Sequence, residues 1–191
     1  MLRSAFATEV DIVDKLDQRR ARGLALLRIA VGAGFLYAGL EKVFDFAGAG
    51  APWTAAGFLK FGTGGTIPNM TGLPDPMSHN PIQGFWGGLA ADPGLLGLIN
   101  FLVVFGEVAI GIALVLGLAT RLAGALGAIM MFLFWLAAWD FEYGPVNQQF
   151  VYMILSAIVA YASAGKTLGL DEKLEESGLA HRFAPLRLAM G

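Results

Sequence analysis

A glutamate occupies the middle of a long apolar run, where an ionised side chain is costly. Glu107 is flanked by Val103, Val104 and Phe105, and it is the one charged residue of the run 95–119. A charge in the middle of a membrane costs on the order of 3 kcal/mol, and such residues usually face other helices and have a partner. Glu107 therefore predicts either a buried ion pair or a carboxyl group that exchanges a proton.

Two basic residues of the first apolar run could pair with Glu107. Arg28 lies near the beginning of that run and Lys42 near its end. Glu107 lies about twelve residues, or roughly 18 Å, from the start of its own helix, which places it somewhat past the middle of the membrane. We therefore predict that Glu107 pairs with Arg28, and not with Lys42.

Helical periodicity places polar residues on one face of each of these two helices. In the first, one face carries Arg28, Gly32, Phe35, Gly39 and Lys42. In the second, one face carries Asn100, Glu107, Gly111 and Leu114. Because residues three and four apart share a face of a helix, we expect the two stripes to face each other.

The predicted pair has two interpretations. It could fix the register of the two helices without chemistry, since buried pairs can act as positioning devices. It could also handle a proton or an anion beside a quinone, which makes Arg28 and Glu107 the candidate catalytic residues. The candidate substrate- or quinone-binding residues are Lys42, Asn100, Trp139 and Asn147. Polar and aromatic residues near helix ends are also typical of ordinary interface anchors.

The composition is that of a membrane protein. The 191 residues are 56% hydrophobic and 15% charged, with a mean hydropathy of +0.62, whereas soluble domains are about 45–50% apolar and about 25% charged. The net charge of −2 gives no indication of a nucleic-acid partner.

The residues that usually hold metals and redox cofactors are scarce. The chain has no cysteine, and neither His79 nor His181 lies in an apolar run. We therefore expect no haem, iron–sulfur cluster or metal ion on this chain. A redox role would use a diffusing substrate, a quinone or the cofactor of a partner.

The apolar runs predict an all-α integral membrane protein, a bundle of four helices. The predicted spans are residues 24–46, 95–119, 122–141 and 150–164. A hydrocarbon core of about 30 Å needs about 20 residues, so the fourth span reaches that length only with residues 147–149 and 165. Together they form a membrane domain over residues 24–171.

The remaining segments flank or connect the spans. Residues 1–23 have apolar residues at helical spacing between charged ones, which predicts an amphipathic segment on the membrane surface or against a neighbouring loop or subunit. Residues 47–94 are rich in proline, glycine and aromatic residues, and we expect them to fold back as a lid over the helix ends. Residues 172–191 form a tail.

Basic residues predict the orientation. Three groups fall on one side of the predicted spans: Arg3, Lys15, Arg19, Arg20 and Arg22; Arg121; and Lys166, Lys173, Arg182 and Arg187. The opposite side has Lys42 and Lys60. By the positive-inside rule both termini are cytoplasmic and the loop 47–94 lies outside the cytoplasm.

Several short motifs carry a family resemblance. They are Leu27-Arg28-Ile29-Ala30-Val31-Gly32; Phe105-Gly106-Glu107-Val108-Ala109-Ile110-Gly111; Leu116-Gly117-Leu118-Ala119-Thr120-Arg121-Leu122; Pro145-Val146-Asn147; and Gly165 with Leu168-Gly169-Leu170-Asp171. In this order and spacing, over residues 24–171, the sequence resembles the DoxX family, and in particular its DoxD-like branch, the small subunit of thiosulfate:quinone oxidoreductase.

The resemblance implies a multi-pass protein of the prokaryotic plasma membrane, placed beside redox proteins. For the DoxD-like branch it implies oxidation of thiosulfate to tetrathionate, with electrons passing to quinone. Such a subunit would use Arg28 and Glu107 for protons and Lys42 to attract the anion. The alternative is a non-catalytic accessory subunit of a larger respiratory or other membrane redox complex. The expected partners are the lipid bilayer and other membrane redox subunits or a second copy of the chain.

Overall fold

The computed structural model describes residues 2–44, 50, 52–61, 80–138, 145–162, 164–176 and 189–190. This part of the chain is helical and contains no strand. Its seven helices are α1 (Leu2–Phe44), α2 (Ala56–Phe61), α3 (Gln83–Ala91), α4 (Pro93–Leu116), α5 (Thr120–Ala138), α6 (Gln148–Tyr161) and α7 (Leu170–Glu176).

Three helices are long and apolar enough to cross a membrane. They are α4, α5 and the part of α1 from Ile12 to Phe44. Their positions confirm the first three predicted spans to within a few residues, apart from the beginning of α1. The fourth apolar helix, α6, has 14 residues, so it is shorter than the about 20 residues that a hydrocarbon core requires.

The first helix extends well beyond its predicted beginning. It is continuous over 43 residues, a length of roughly 65 Å, about twice the thickness of a hydrocarbon core. No proline interrupts residues 2–44, so nothing breaks the helix where the polar residues give way to apolar ones. The predicted amphipathic segment is therefore an extension of the first span and not a separate helix.

Glycines allow α1 and α4 to pack closely. An added Cβ at Gly32 would lie 2.7 Å from Leu114 Cβ, and one at Gly39 would lie 2.9 Å from the main-chain nitrogen of Val108. Gly111 contacts Leu36 in the same way. These contacts confirm the prediction that the two stripes face each other, since only small residues allow such an approach.

The packing of α5 and α6 repeats this principle. Gly124 of α5 approaches Ala160 of α6, and α4 contacts α5 while α1 contacts α6. Between these helices lies a buried cluster: Val31, Phe35, Ile110, Leu114, Ala123, Met131 and Val159. The four longest apolar helices therefore share one core.

Two short helices cover one end of this core. They are α2 and α3 of the loop 47–94, and they pack with α5 in a second cluster of Ala55, Leu59, Trp86, Ala90 and Ala137. Asn80 fixes the second of these helices, because its Nδ2 donates to the carbonyl oxygens of Leu136 and Ala137 at 2.8 and 3.1 Å. Predictions for residues 62–79, including His79, lie outside the described residues.

Candidate functional site

Lys42 and Glu107 form a buried ion pair between α1 and α4. The Lys42 Nζ lies 2.8 Å from Glu107 Oε2 and donates to Oε1 at 3.1 Å. The Glu107 side chain is 3% exposed and the Lys42 side chain 16%. A buried charge is tolerated when it is paired and hydrogen-bonded, so each residue explains how the other remains in an apolar helix.

The predicted pairing of Glu107 with Arg28 is wrong. Gly39 packs against Val108 and Glu107, so Glu107 lies at the level of residue 39 on α1. Lys42 is within one helical turn of that level, whereas Arg28 packs against Gly117, which is ten residues, or roughly 15 Å, farther along α4.

The error came from the assumption that the two helices end at the same depth. From the packing of Gly39, the end of α1 at Phe44 lies opposite residue 102 or 103 of α4. The helix α4 begins at Pro93, so it extends beyond α1 by roughly nine residues, or about 14 Å. Glu107 is therefore far from the start of α4 but close to the end of α1.

A short segment before α2 covers the pair, and we call residues 52–55 the cover segment. The ring of Trp53 lies over the Lys42 Nζ, at 5.2 Å from its centroid. Asn100 holds the segment against α4: its Oδ1 accepts from the Ala55 main-chain nitrogen at 2.8 Å, and its Nδ2 donates to Thr54 Oγ1 at 3.3 Å. Asn100 is one of the residues predicted to bind a substrate or quinone. In the structure, both ends of its amide already hydrogen-bond to the protein.

Each of the three N–H groups of Lys42 faces a group of the protein. One faces Glu107, one donates to the carbonyl oxygen of Ala38 at 3.1 Å, and the remaining side of the ammonium faces the ring of Trp53. A lysine ammonium has three donors, so a molecule that binds it must displace one of these contacts. The weakest of them is the contact with Trp53, because an aromatic face is a poorer partner than a carboxylate.

A second carboxylate lies near the pair. Glu41 interacts electrostatically with Glu107, and it is partly buried at the end of α1. Two carboxylates and one ammonium give a formal charge of −1 when all three are ionised. This charge opposes the predicted role of Lys42 in attracting an anion, since a second anion would meet Glu107 and Glu41 as well.

Arg28 belongs to a different site at the other end of α1. Its Nη1 donates to the carbonyl oxygens of Ala164 and Thr167 at 2.9 and 3.4 Å, and its Nη2 donates to that of Leu168 at 2.8 Å. The residue has no exposed surface. Its guanidinium therefore holds the chain that follows α6, and it is far from Glu107.

Asp171 completes this second site. Its Oδ1 accepts from the main-chain nitrogen of Ala119 at 2.7 Å and its Oδ2 from that of Thr120 at 3.0 Å. Thr120 begins α5, so Asp171 satisfies main-chain N–H groups at a helix N-terminus as an N-cap residue does, from a distant part of the chain. We call Arg28, Asp171 and the loop 164–169 the Arg28 clasp.

Sequence reasoning missed the clasp and the cover segment. The signal for the clasp was present in the motifs around Gly117, Gly165 and Asp171, which stand far apart in the chain and meet in the structure. Trp53 had no such signal, because an aromatic residue in a loop is also typical of a membrane interface.

Asn147 is the other predicted binding residue that the structure describes, and it belongs to neither site. Asn147 caps α6, since its Oδ1 accepts from the Phe150 main-chain nitrogen at 3.0 Å. Trp139 lies outside the described residues. Within the described ranges, no group of three or more His, Cys, Asp or Glu side chains could hold a metal ion. The site that the structure assembles is therefore Lys42, Glu107, Trp53 and Asn100, which we call the Lys42 site.

Comparisons with known proteins give the family. No curated protein and no solved structure matches the chain. The DoxX family matches residues 23–139, which is more than half of the chain and includes Arg28, Lys42 and Glu107, while Asp171 lies beyond the matched residues. This multi-pass membrane protein belongs to the DoxX family.

Proposed function

We propose that this protein is a membrane subunit of a quinone-linked redox system, in which Lys42 and Glu107 transfer protons to or from the quinone. The observation that carries the proposal is the ion pair at 2.8 Å between two titratable side chains, one almost fully buried and the other 16% exposed. Buried titratable pairs of this kind in a membrane mark proton pathways and substrate sites.

Reduction of the quinone in the proposed reaction consumes protons. Reduction of a quinone to a quinol takes up two electrons and two protons. If the donor is thiosulfate, as in the DoxD-like branch, two thiosulfate ions form one tetrathionate ion and release the two electrons without releasing protons. The protons must come from the protein or from water, and a positioned acid or base accelerates such a transfer by about 10²–10⁴-fold.

The charges favour the quinone over thiosulfate as the molecule beside Lys42. A quinone is neutral, and its carbonyl oxygens can accept a hydrogen bond from the ammonium. Thiosulfate carries two negative charges and would lie beside Glu107 and Glu41, and like charges oppose each other strongly in a medium of low dielectric constant. In this proposal thiosulfate is oxidised on a partner subunit, and a cofactor of that partner passes the two electrons to the quinone.

We also propose four spans, formed by α1, α4, α5 and α6, with both termini in the cytoplasm of a prokaryotic cell. The close packing of Gly124 against Ala160 supports α6 as the fourth, together with residues on either side of it. Lys166 and Lys173 follow α6, and Arg121 lies in the first turn of α5, which supports this orientation by the positive-inside rule. The Lys42 site then lies toward the outer surface, beneath the cover segment.

The test is quinone reduction by the protein purified from its own membrane with its partners, with thiosulfate as donor. Glu107→Gln should lower kcat by about a hundredfold, the usual contribution of a general acid or base. Lys166→Met is the matched control, since Lys166 is a half-exposed lysine that pairs with Glu175 at the protein surface. Equal turnover of Glu107→Gln and the wild type would contradict the proposal.

One observation favours the alternative, a non-catalytic accessory subunit of a membrane redox complex. Lys42 and Glu107 satisfy each other, as a pair that only fixes helix register would. Gentle solubilisation followed by native mass spectrometry distinguishes the two roles. An accessory subunit with Lys42→Met and Glu107→Gln together would still assemble with its partner and leave the activity of the complex unchanged.

A further inference from the structure

The side chain of Asn100 joins the cover segment to α4 through hydrogen bonds. Asn100 accepts from the Ala55 nitrogen and donates to Thr54 Oγ1, so both hydrogen-bonding ends of its amide contact the segment. Asn100 lies on the same face of α4 as Glu107, seven residues or about two helical turns away. The residue that holds the cover therefore belongs to the same helix face as the buried carboxylate.

Trp53 immediately precedes the two residues that Asn100 holds. Ala55 is 3% exposed and packs among Leu59, Trp86 and Ala137, so the segment has a fixed position on its other side. With Thr54 and Ala55 fixed, the main chain brings the Trp53 ring to 5.2 Å from Lys42. The position of the ring thus depends on the two hydrogen bonds of Asn100 together with the packing of Trp53 against this cluster.

We propose that Asn100 is a positioning residue that keeps Trp53 over Lys42 and so controls access to the ammonium. A molecule that hydrogen-bonds to Lys42 must first displace the ring, because the other donors of the ammonium face Glu107 and Ala38. The importance of this access rests on the proposed function, but the position of the ring does not.

The experiment measures how fast Lys42 reacts with an amine-acylating ester in the full-length protein in detergent. Mass spectrometry gives the labelling rate at Lys42 relative to that at Lys166 of the same sample, whose side chain is 50% exposed. In the wild type, Lys42 should react at least tenfold more slowly. Asn100→Ala should raise the Lys42 rate by about fivefold, the change in population expected from the loss of a hydrogen bond.

Three further variants make the result specific. Trp53→Ala should raise the rate at least as much as Asn100→Ala, and Trp53→Phe should raise it less because a ring remains. Thr54→Val removes the 3.3 Å bond from Asn100 and the 3.2 Å bond that Thr54 Oγ1 accepts from the Ala56 main-chain nitrogen. Both are at an exposed residue, so the variant should fold and raise the rate by about twofold. Asn147→Ala is the matched control, because it removes the same kind of side chain from the cap of α6, and it should leave the rate unchanged.

Two results would overturn the proposal. One is a Lys42 rate that Asn100→Ala, Thr54→Val and Trp53→Ala all leave at the wild-type value. The other is an equal increase in Asn100→Ala and Asn147→Ala, which would indicate general loosening. Labelling needs no quinone, so the expected rates together with no quinone turnover would contradict the proposed function and leave the role of Asn100 supported.

Discussion

Arg28 and Lys42 are basic residues in the apolar part of α1, and they are used in different ways. Arg28 has no exposed surface and donates to main-chain carbonyl oxygens. Lys42 retains 16% exposure and pairs with the carboxylate of Glu107. A carbonyl oxygen cannot take up a proton at physiological pH, whereas a carboxylate can. The Arg28 clasp is therefore suited to fixed architecture and the Lys42 site to proton transfer.

The residue types agree with this division. The planar guanidinium of arginine has five donors in a fixed arrangement and is always charged, so it can hold several oxygens at once. The lysine ammonium is a compact point charge on a flexible stem, so it fits beside a single carboxylate. A lysine in place of Arg28 would therefore reach fewer carbonyl oxygens.

The largest effect is expected at the clasp. Arg28→Met would leave the Asp171 carboxylate without its nearby cation and three carbonyl oxygens without their donor. Removing one partner of a buried charged group costs on the order of 3–5 kcal/mol, so most of the protein should fail to fold. The measurement is the yield of monodisperse protein and its thermal unfolding midpoint in detergent. A midpoint equal to that of the wild type would show that the clasp is not architectural.

The Lys42 site should respond differently because its two partners can be removed together. Glu107→Gln alone leaves a buried ammonium and should lower the free energy of unfolding by about 3 kcal/mol. Adding Lys42→Met should restore most of that loss, since a buried pair can often be replaced by uncharged residues. Unfolding of the two single variants and the double variant forms a double-mutant cycle. Strictly additive effects would mean that the pair does not interact.

A smaller effect on the free energy of unfolding should distinguish Gly165, which is closely packed in the clasp, from Gly97, which has open space around it. A Cβ on Gly165 would meet the Asp171 carboxylate and Thr120 Oγ1, so Gly165→Ala should cost about 1–3 kcal/mol. Gly97 lies on α4 with open space around it, and Gly97→Ala should instead gain about 0.5–1 kcal/mol. Chemical unfolding in detergent gives both values, and a Gly165→Ala variant as stable as Gly97→Ala would be inconsistent with the clasp.

The smallest effect concerns Asn147, which the sequence places among the binding residues and the structure shows capping α6. Asn147→Ala should lower the free energy of unfolding by about 1 kcal/mol, and Asn147→Ser should keep most of the cap. The KM for quinone should be unchanged in both. A changed KM in Asn147→Ser, with stability preserved, would return Asn147 to the substrate site.

The spans were predictable because they depend on local properties. Apolar runs of sufficient length produced α4 and α5 to within three residues at each end, and residues spaced by three and four identified the faces that meet at Gly32, Gly39 and Gly111. Glu107 and Lys42 lie in apolar helices, so each needed a partner in any fold, because an unpaired buried charge is costly.

The choice of partner was not predictable in the same way. The spacing of residues places Arg28 and Lys42 on one face of α1, so either could meet Glu107. The choice depends on how far α4 extends beyond α1, and that offset results from glycine contacts and from the packing of α2 and α3 over the end of the bundle. No local pattern encodes such an offset.

The sequence by itself therefore determined that this chain lies in a membrane and that an acidic residue in its second span needs a basic partner, because burial of a charge is costly wherever it occurs. The tertiary structure alone decided that this partner is Lys42, that Trp53 covers it and that Arg28 holds the end of the bundle. These contacts join residues 11 to 140 positions apart, and their geometry depends on the axial register of whole helices.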